Sequence, residues 1–256
     1  MMERLKEIPE SRAVMKTVTE VKITETNLTT ISPSDLELMP NLIKLDCSRN
    51  KLSRVAPYAF RKLNRLQVLN LEQNEIIHLS RERFMGLTSL QRLNLSQNHL
   101  VSLDLFPQDM SKLVILDVSH NRIRSLARDS MTHLTRLVRL DLRGNLLSEI
   151  MPEVLHPMPA IKALDLADNS FSVLPLDGIQ AIEATLESVS FEGKPNICLA
   201  SYFLPDLKSN LQTKSYAKFK IYVDVKTQCL ITIKVDIRYH TQWLIRCNLI
   251  TKILSQ

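Results

Sequence analysis

Glycine is nearly absent, with four residues in 256, and aromatic residues make up only 5% of the chain. A β-sandwich strung together by many tight turns draws on more of both, so the composition speaks against one. No run of about 18 apolar residues is present, and nothing is long enough to span a bilayer as a helix. The start, MMERLKEIPESRAVMKTV, has neither an apolar h-region nor a small-residue cleavage site and does not read as a secretory signal peptide. Two expectations follow: an intracellular protein, or a chain whose beginning lies further upstream. Cysteine is as sparse as glycine, and Cys198, Cys229 and Cys247 show no C-x-x-C spacing and no paired histidine. Neither a zinc site nor a redox motif is supported, so no metal and no cofactor is expected. The six histidines are scattered, no Ser/His/Asp constellation can be assigned, and no glycine-rich phosphate loop exists, so the chain does not read as an enzyme.

What the chain does have is apolar content, 45% of its residues, enough to bury a sizeable core in one or two domains. Its formal charge of +6 is unevenly placed. Met1 to Thr213 carries 25 Lys and Arg against 25 Asp and Glu, whereas Lys214 to Gln256 carries 8 against Asp224 and Asp236. The bulk of the protein therefore has no electrostatic footprint for nucleic acid.

Self-similarity is the decisive signal. The pattern L-x-x-L-x-L-x-x-N-x-L recurs as LIKLDCSRNKL from Leu42, LQVLNLEQNEI from Leu66, LQRLNLSQNHL from Leu90, LVILDVSHNRI from Leu113, LVRLDLRGNLL from Leu137 and IKALDLADNSF from Ile161. Its asparagines are Asn50, Asn74, Asn98, Asn121, Asn145 and Asn169, separated by 24, 24, 23, 24 and 24 residues. A weaker copy precedes them at Val18, Val21, Ile23 and Leu28, with Thr26 in the Asn place. Another follows at Leu186, Val189 and Phe191, with Lys194 there. That makes about eight repeats.

The alternation L-x-L has the period of a short strand with one buried face. The Asn falls where the chain leaves that strand, and its amide both donates and accepts, so it can satisfy backbone groups that the turn would otherwise leave unpaired inside the coil. One 24-residue turn cannot bury its own apolar side, and stability must come from stacking on its neighbours. Cys47 falls on one of the inward Leu positions and reads as a small buried hydrophobe.

Over residues 18–196 the chain resembles the leucine-rich-repeat superfamily. Ala59-Phe60 and Arg83-Phe84, each three residues before the next Leu, are similar to the 24-residue subclass that carries a Phe in its return half; Met131 and Leu155 stand near that position later on. The resemblance implies an α/β solenoid, a right-handed horseshoe with a parallel β-sheet on its concave face and irregular or short helical convex segments. It also implies a non-catalytic role in binding a protein partner, as in receptors, adhesion molecules and matrix proteins. The ends depart from the extracellular members, which usually close their arrays with cysteine-rich caps. Residues 1–17 hold LKEIP, the look of an N-terminal cap remnant, but no Cys; residues 197–213 resemble a partial C-terminal cap with Cys198 alone. The basic tail, 214–256, lacks Glu, Gly and Pro and alternates apolar and polar residues at Phe219–Val225 and Cys229–Tyr239 as two strands would. It reads either as an extension foreign to the repeats or as a β-hairpin that covers the last one.

If the residues between the buried leucines face outward, they form three ladders. The first runs Glu20, Lys44, Val68, Arg92, Ile115, Arg139, Ala163; the second Lys22, Asp46, Asn70, Asn94, Asp117, Asp141, Asp165; the third Thr24, Ser48, Glu72, Ser96, Ser119, Arg143, Ala167. The Asp and Asn of the second read as structural or solvated. The candidate partner-binding residues are Lys44, Arg92, Arg139 and Arg143, with Arg49, Gln97 and His120 beside them, because Arg is enriched at interaction hot spots. A solvated sheet face is the plain alternative. Two sequons, Asn27-Leu-Thr29 and Asn94-Leu-Ser96, accept N-glycans if the protein is secreted. The leading expectation is a cell-surface or matrix interaction module. The second is a cytoplasmic adaptor or regulatory subunit, and a third is a fragment of a longer enzyme whose catalytic domain lies elsewhere.

Overall fold

The structure is a computed structural model that describes residues 15–103, 106–171, 179, 182, 184–190 and the strand backbones of 220–224 and 230–234. The expected cap remnant up to residue 14, the partial cap around Cys198, Lys194 at the last Asn place, and Cys229 and Cys247 lie outside the described residues.

In chain order the strands are β1 Glu20–Lys22, β2 Thr30–Ile31, β3 Lys44–Asp46, β4 Arg54–Val55, β5 Val68–Asn70, β6 Arg92–Asn94, β7 Ile115–Asp117, β8 Arg139–Asp141, β9 Ala163–Asp165, β10 Ser188–Ser190, β11 Lys220–Asp224 and β12 Leu230–Lys234. Eight of them form one sheet, ordered β1-β3-β5-β6-β7-β8-β9-β10, parallel at every described pairing. The register follows the repeat, with Leu45 against Leu69 and Leu69 against Leu93. This is a parallel-strand solenoid of about seven turns. β11 and β12 pair antiparallel as a separate ribbon, with β12 beside β10.

The core is a stack of columns, one residue per turn. Leu42, Leu66, Leu90, Leu113, Leu137 and Ile161 form one, and Ile31, Val55, Leu79, Leu103, Leu126 and Ile150 another; all are buried. The second column lies on the return side, where β2 pairs with β4 and Leu103 bridges to Leu126. Helix is scarce: α1 Pro33–Leu36, α2 Pro152–Leu155 and two 3₁₀ turns, Arg81–Phe84 and Gln108–Met110. Phe60, Phe84, Met131 and Leu155 are buried in the return half. The one repeat of 23 residues keeps the aromatic column by a different route. Phe106 moves in against Phe84, with ring centroids 5.7 Å apart, and Pro107 takes the start of the 3₁₀ turn.

Each Asn corner is built alike. Asn98 donates from Nδ2 to the carbonyls of Leu71, Leu95 and Ser96 at 2.9 to 3.2 Å, and its Oδ1 accepts from the N–H of Ile76 at 3.0 Å. Asn74, Asn121, Asn145 and Asn169 repeat these four bonds one turn along. Asn50 donates to Ile23, Cys47 and Ser48, and accepts from Thr26 and Leu28. Every asparagine therefore ties its own turn to the one before it, and the ladder is a continuous seam through the interior.

Candidate functional site

The residues just before the corner asparagines, and before Thr26 in the first repeat, have a conformation the sequence does not announce. Glu25, Arg49, Gln73, Gln97, His120 and Asp168 have φ between 52° and 62°, and Gly144 has φ 66°. The left-handed residue lets the chain swing from strand into corner, and among the described repeats one, at Gly144, meets that requirement with glycine.

The strands end at the second outward residue, which decides what the sheet face presents. Of the third ladder, Ser48, Ser96, Ser119 and Ala167 are buried, Thr24 and Glu72 half-buried and Arg143 exposed. The reason lies in the second ladder. Oδ1 of Asp46, Asn70, Asn94, Asp117, Asp141 and Asp165 each accepts the backbone N–H two residues on, at 2.9 to 3.1 Å. That bond curls the chain back over its own strand. The hydroxyls of Ser96 and Ser119 donate to the same oxygens, at 2.8 and 2.7 Å, and are covered by those side chains. Arg143 is the fully exposed member of the ladder and pairs with Asp168 at 2.9 Å.

What remains outward is the first ladder, the second oxygens of the aspartates, and the left-handed residues on the flank. Lys44 pairs with Glu20 and Arg49 with Glu25, both exposed, so the N-terminal end of the face is largely self-neutralised. Gln73 donates from Nε2 to Gln97 Oε1 at 2.8 Å, and Gln97 reaches Glu72 at 3.5 Å. The ring of His120 lies over Gly144 on the next turn. Arg92 and Arg139 differ from these, because no ion pair involves them among the described residues. They flank half-buried Ile115 in exact register, Arg92 opposite Ile115 and Ile115 opposite Arg139. Of the seven candidate side chains, then, the structure brings Arg92, Arg139 and Arg143 together around β6 to β8. Lys44 and Arg49 sit on the first turns, and Gln97 and His120 line the flank.

Next to Arg139 lies the most crowded carboxylate of the face. Asp141 is opposite both Asp117 and Asp165. Its carboxyl is pushed above the ordinary carboxylate range, first by burial and then by those two neighbours, against the opposing pull of the Arg143 N–H and the Arg139 charge. A carboxyl whose folded-state pKa is raised binds its proton more tightly in the fold. Its favourable contribution is complete below the unfolded value and is lost as pH rises through the folded value. Asp141→Asn keeps the acceptor oxygen, as Asn70 and Asn94 do in the same column. It should stabilise the protein by about 0.5 kcal/mol near pH 7, the scale of a like-charge cross-strand pair. Urea midpoints compared at about pH 7 and about pH 3 check this; the gain should vanish at the lower pH, near and below the ordinary Asp value.

The sequons separate cleanly. Asn27 is exposed at φ 60°. Asn94 is half-buried in β6, with Oδ1 holding Ser96 and Nδ2 donating to Glu72 at 3.2 Å. Cys47 is fully enclosed, and burial pushes its thiol up to about 12. Among the described residues, no group of three His, Cys, Asp or Glu side chains is placed to hold a metal ion, and no helix is long and apolar enough to cross a membrane.

The comparisons with known proteins agree with this geometry. A leucine-rich-repeat family model matches residues 16–74, 40–100 and 111–171, and a two-copy leucine-rich-repeat model matches 88–133. The chain belongs to the leucine-rich-repeat family. Among solved structures it is similar to the TLR13-ssRNA13 complex, with TM-score 0.63 and 28% identity over 69% of this chain. It is also similar in fold to a leucine-rich-repeat protein of Leptospira interrogans, with TM-score 0.51 and 18% identity over 73% of this chain. The chain spans 25% of the length of the first and 62% of the second. No curated protein matches it. Repeats of this family generally mediate protein or ligand interaction.

Proposed function

We propose that this chain is a non-catalytic protein-interaction module of the cell surface or extracellular matrix, and that its partner sits on the exposed sheet face across β6 to β9. One observation carries the reading: Arg92 and Arg139 stand exposed around Ile115 and outside every ion pair among the described residues, while Lys44, Arg49 and Lys162 nearer the ends of the sheet are paired within the chain. An apolar centre between two guanidinium groups has the make-up of a hot spot, in which Arg supplies directional hydrogen bonds and the centre excludes water. The Phe-bearing repeat subclass and the exposed Asn27 sequon support the extracellular setting. TLR13 is matched in a complex with ssRNA13, but this face favours protein over RNA. Asp46, Asp117, Asp141 and Asp165 would oppose phosphates, and no aromatic side chain stands on strands β1 to β10 to stack a base.

The test is affinity capture from extracellular fluid and surface-labelled cells with three baits: the full chain, Arg92→Glu/Arg139→Glu, and a control reversed off the sheet, Arg61→Glu/Lys62→Glu. The reading requires a protein that the full chain and the control retain and the Arg92/Arg139 variant loses, with binding weakened by on the order of a hundredfold. Equal retention by all three baits contradicts it, and a cytosolic protein as the sole Arg-dependent partner would move the module inside the cell.

A further inference from the structure

Beside the Arg92–Ile115–Arg139 column runs a second column of opposite sign. Asp117, Asp141 and Asp165 stand in register on three adjacent strands, about 4.8 Å from one to the next. Each spends Oδ1 on the N–H two residues on, which leaves the other oxygen for something outside the fold. Arg143 pairs with Asp168 and Lys162 with Glu187, and no ion pair involves the three aspartates among the described residues, although the Arg139 charge acts on Asp141. The two columns lie two residues apart along the same strands, about 7 Å. A purely acidic partner drawn to the arginines would press its charge against the aspartates, and a purely basic one would do the reverse.

We propose that the partner of this face is a protein segment of mixed charge, with acidic side chains against Arg92 and Arg139 and a basic side chain against the Asp117, Asp141 and Asp165 row. The inference rests on the reading of the sheet face as the binding surface and adds the chemistry of what binds there. The aspartate row then acts as a selectivity element. It rejects polyanions that the arginines alone would accept, and it fixes the direction in which a mixed-charge segment lies across the strands.

The experiment selects a phage-displayed random peptide library against three forms of the full chain: the native sequence, Arg92→Glu/Arg139→Glu, and Asp117→Asn/Asp141→Asn/Asp165→Asn. The asparagine variant removes charge alone, since Asn70 and Asn94 already make the same turn in this column. Peptides from the native chain should be enriched in both Asp/Glu and Lys/Arg. The asparagine variant should lose the Lys/Arg enrichment and keep the Asp/Glu enrichment, and a mixed-charge peptide from the native selection should bind it about tenfold more weakly. Enrichment of acidic residues alone, indifferent to the asparagine substitutions, overturns the mixed-charge inference and leaves the sheet-face reading standing. Peptides without charge bias, or the same peptides from the native chain and the Arg92/Arg139 variant, overturn both.

Discussion

Asn121→Ala should cost on the order of 4 to 6 kcal/mol and melt the middle of the array first. Asn121 is 6% exposed and holds four bonds across two turns. The consequences of losing them are unequal. The carbonyls of Leu95, Val118 and Ser119 each keep a second donor, from Asn98, Asn145 and the Gln97 N–H. Each such loss is the net value of one hydrogen bond, about 1 kcal/mol. The N–H of Leu100 donates to Asn121 Oδ1 at 2.9 Å, and leaving it unpaired inside the coil costs about 1 to 3 kcal/mol more. Stability in such an array is a sum of nearest-neighbour terms, so the loss should appear as early hydrogen exchange between residues 95 and 121. Asn169→Ala, at a half-buried corner near the end of the ladder, should cost less. Thermal melts of the two variants, with exchange mapped by mass spectrometry, check the ranking; equal and small losses would mean that the ladder does not tie the turns together.

Gly86→Ala should be damaging too, by about 3 kcal/mol, through a different mechanism. Gly86 has φ 94°, and a Cβ built there would stand 2.5 Å from Arg61 Cα and 2.6 Å from Arg61 O on the preceding turn. Those are backbone atoms, so relief requires the two turns to separate. Gly144→Ala is the internal comparison. Its Cβ would meet the ring of His120 at 2.5 Å, but that side chain is exposed and can swing away. The same corner position carries Arg49, Gln73, Gln97, His120 and Asp168 at φ between 52° and 56°. The Gly144 variant should lose about 1 kcal/mol or less. Chemical denaturation of both variants distinguishes a steric requirement at Gly86 from a merely conformational one at Gly144.

The contrast between those glycines also marks how far the sequence could be read. Spacing alone located the buried leucines, the corner asparagines and the register of neighbouring strands, because a side-chain period of two followed by a fixed-length return leaves little freedom once a core column is set. The left-handed residues were invisible to it. Glycine is the usual signal for positive φ, and Arg49, Gln97 and His120 meet that requirement at corners where the asparagine bonds hold the backbone in place. The burial of Ser48, Ser96, Ser119 and Ala167 was equally hidden, since strict alternation leaves them open to solvent. A signal was present in their size, because small residues at the third position and Asp or Asn at the second make up a side-chain-capped turn. Phe106 was missed because the 23-residue repeat shifts it one place from Phe60 and Phe84. The grouping of Arg92, Arg139 and Arg143 followed from register, but their differing engagement did not: Arg143 meets Asp168 across a turn whose geometry the pattern does not contain.

The central claim, that the sheet face binds the partner, is most directly tested by hydroxyl-radical footprinting of the chain with and without the captured protein. Val68 and Ile115 report the sheet face, and the exposed Met85 and Met151 report the return segments. Binding at the sheet face predicts slower oxidation of Val68 and Ile115, with Met85 and Met151 unchanged. Protection of Met85 and Met151 with Ile115 still fully reactive would contradict it and move the interface to the other side of the solenoid.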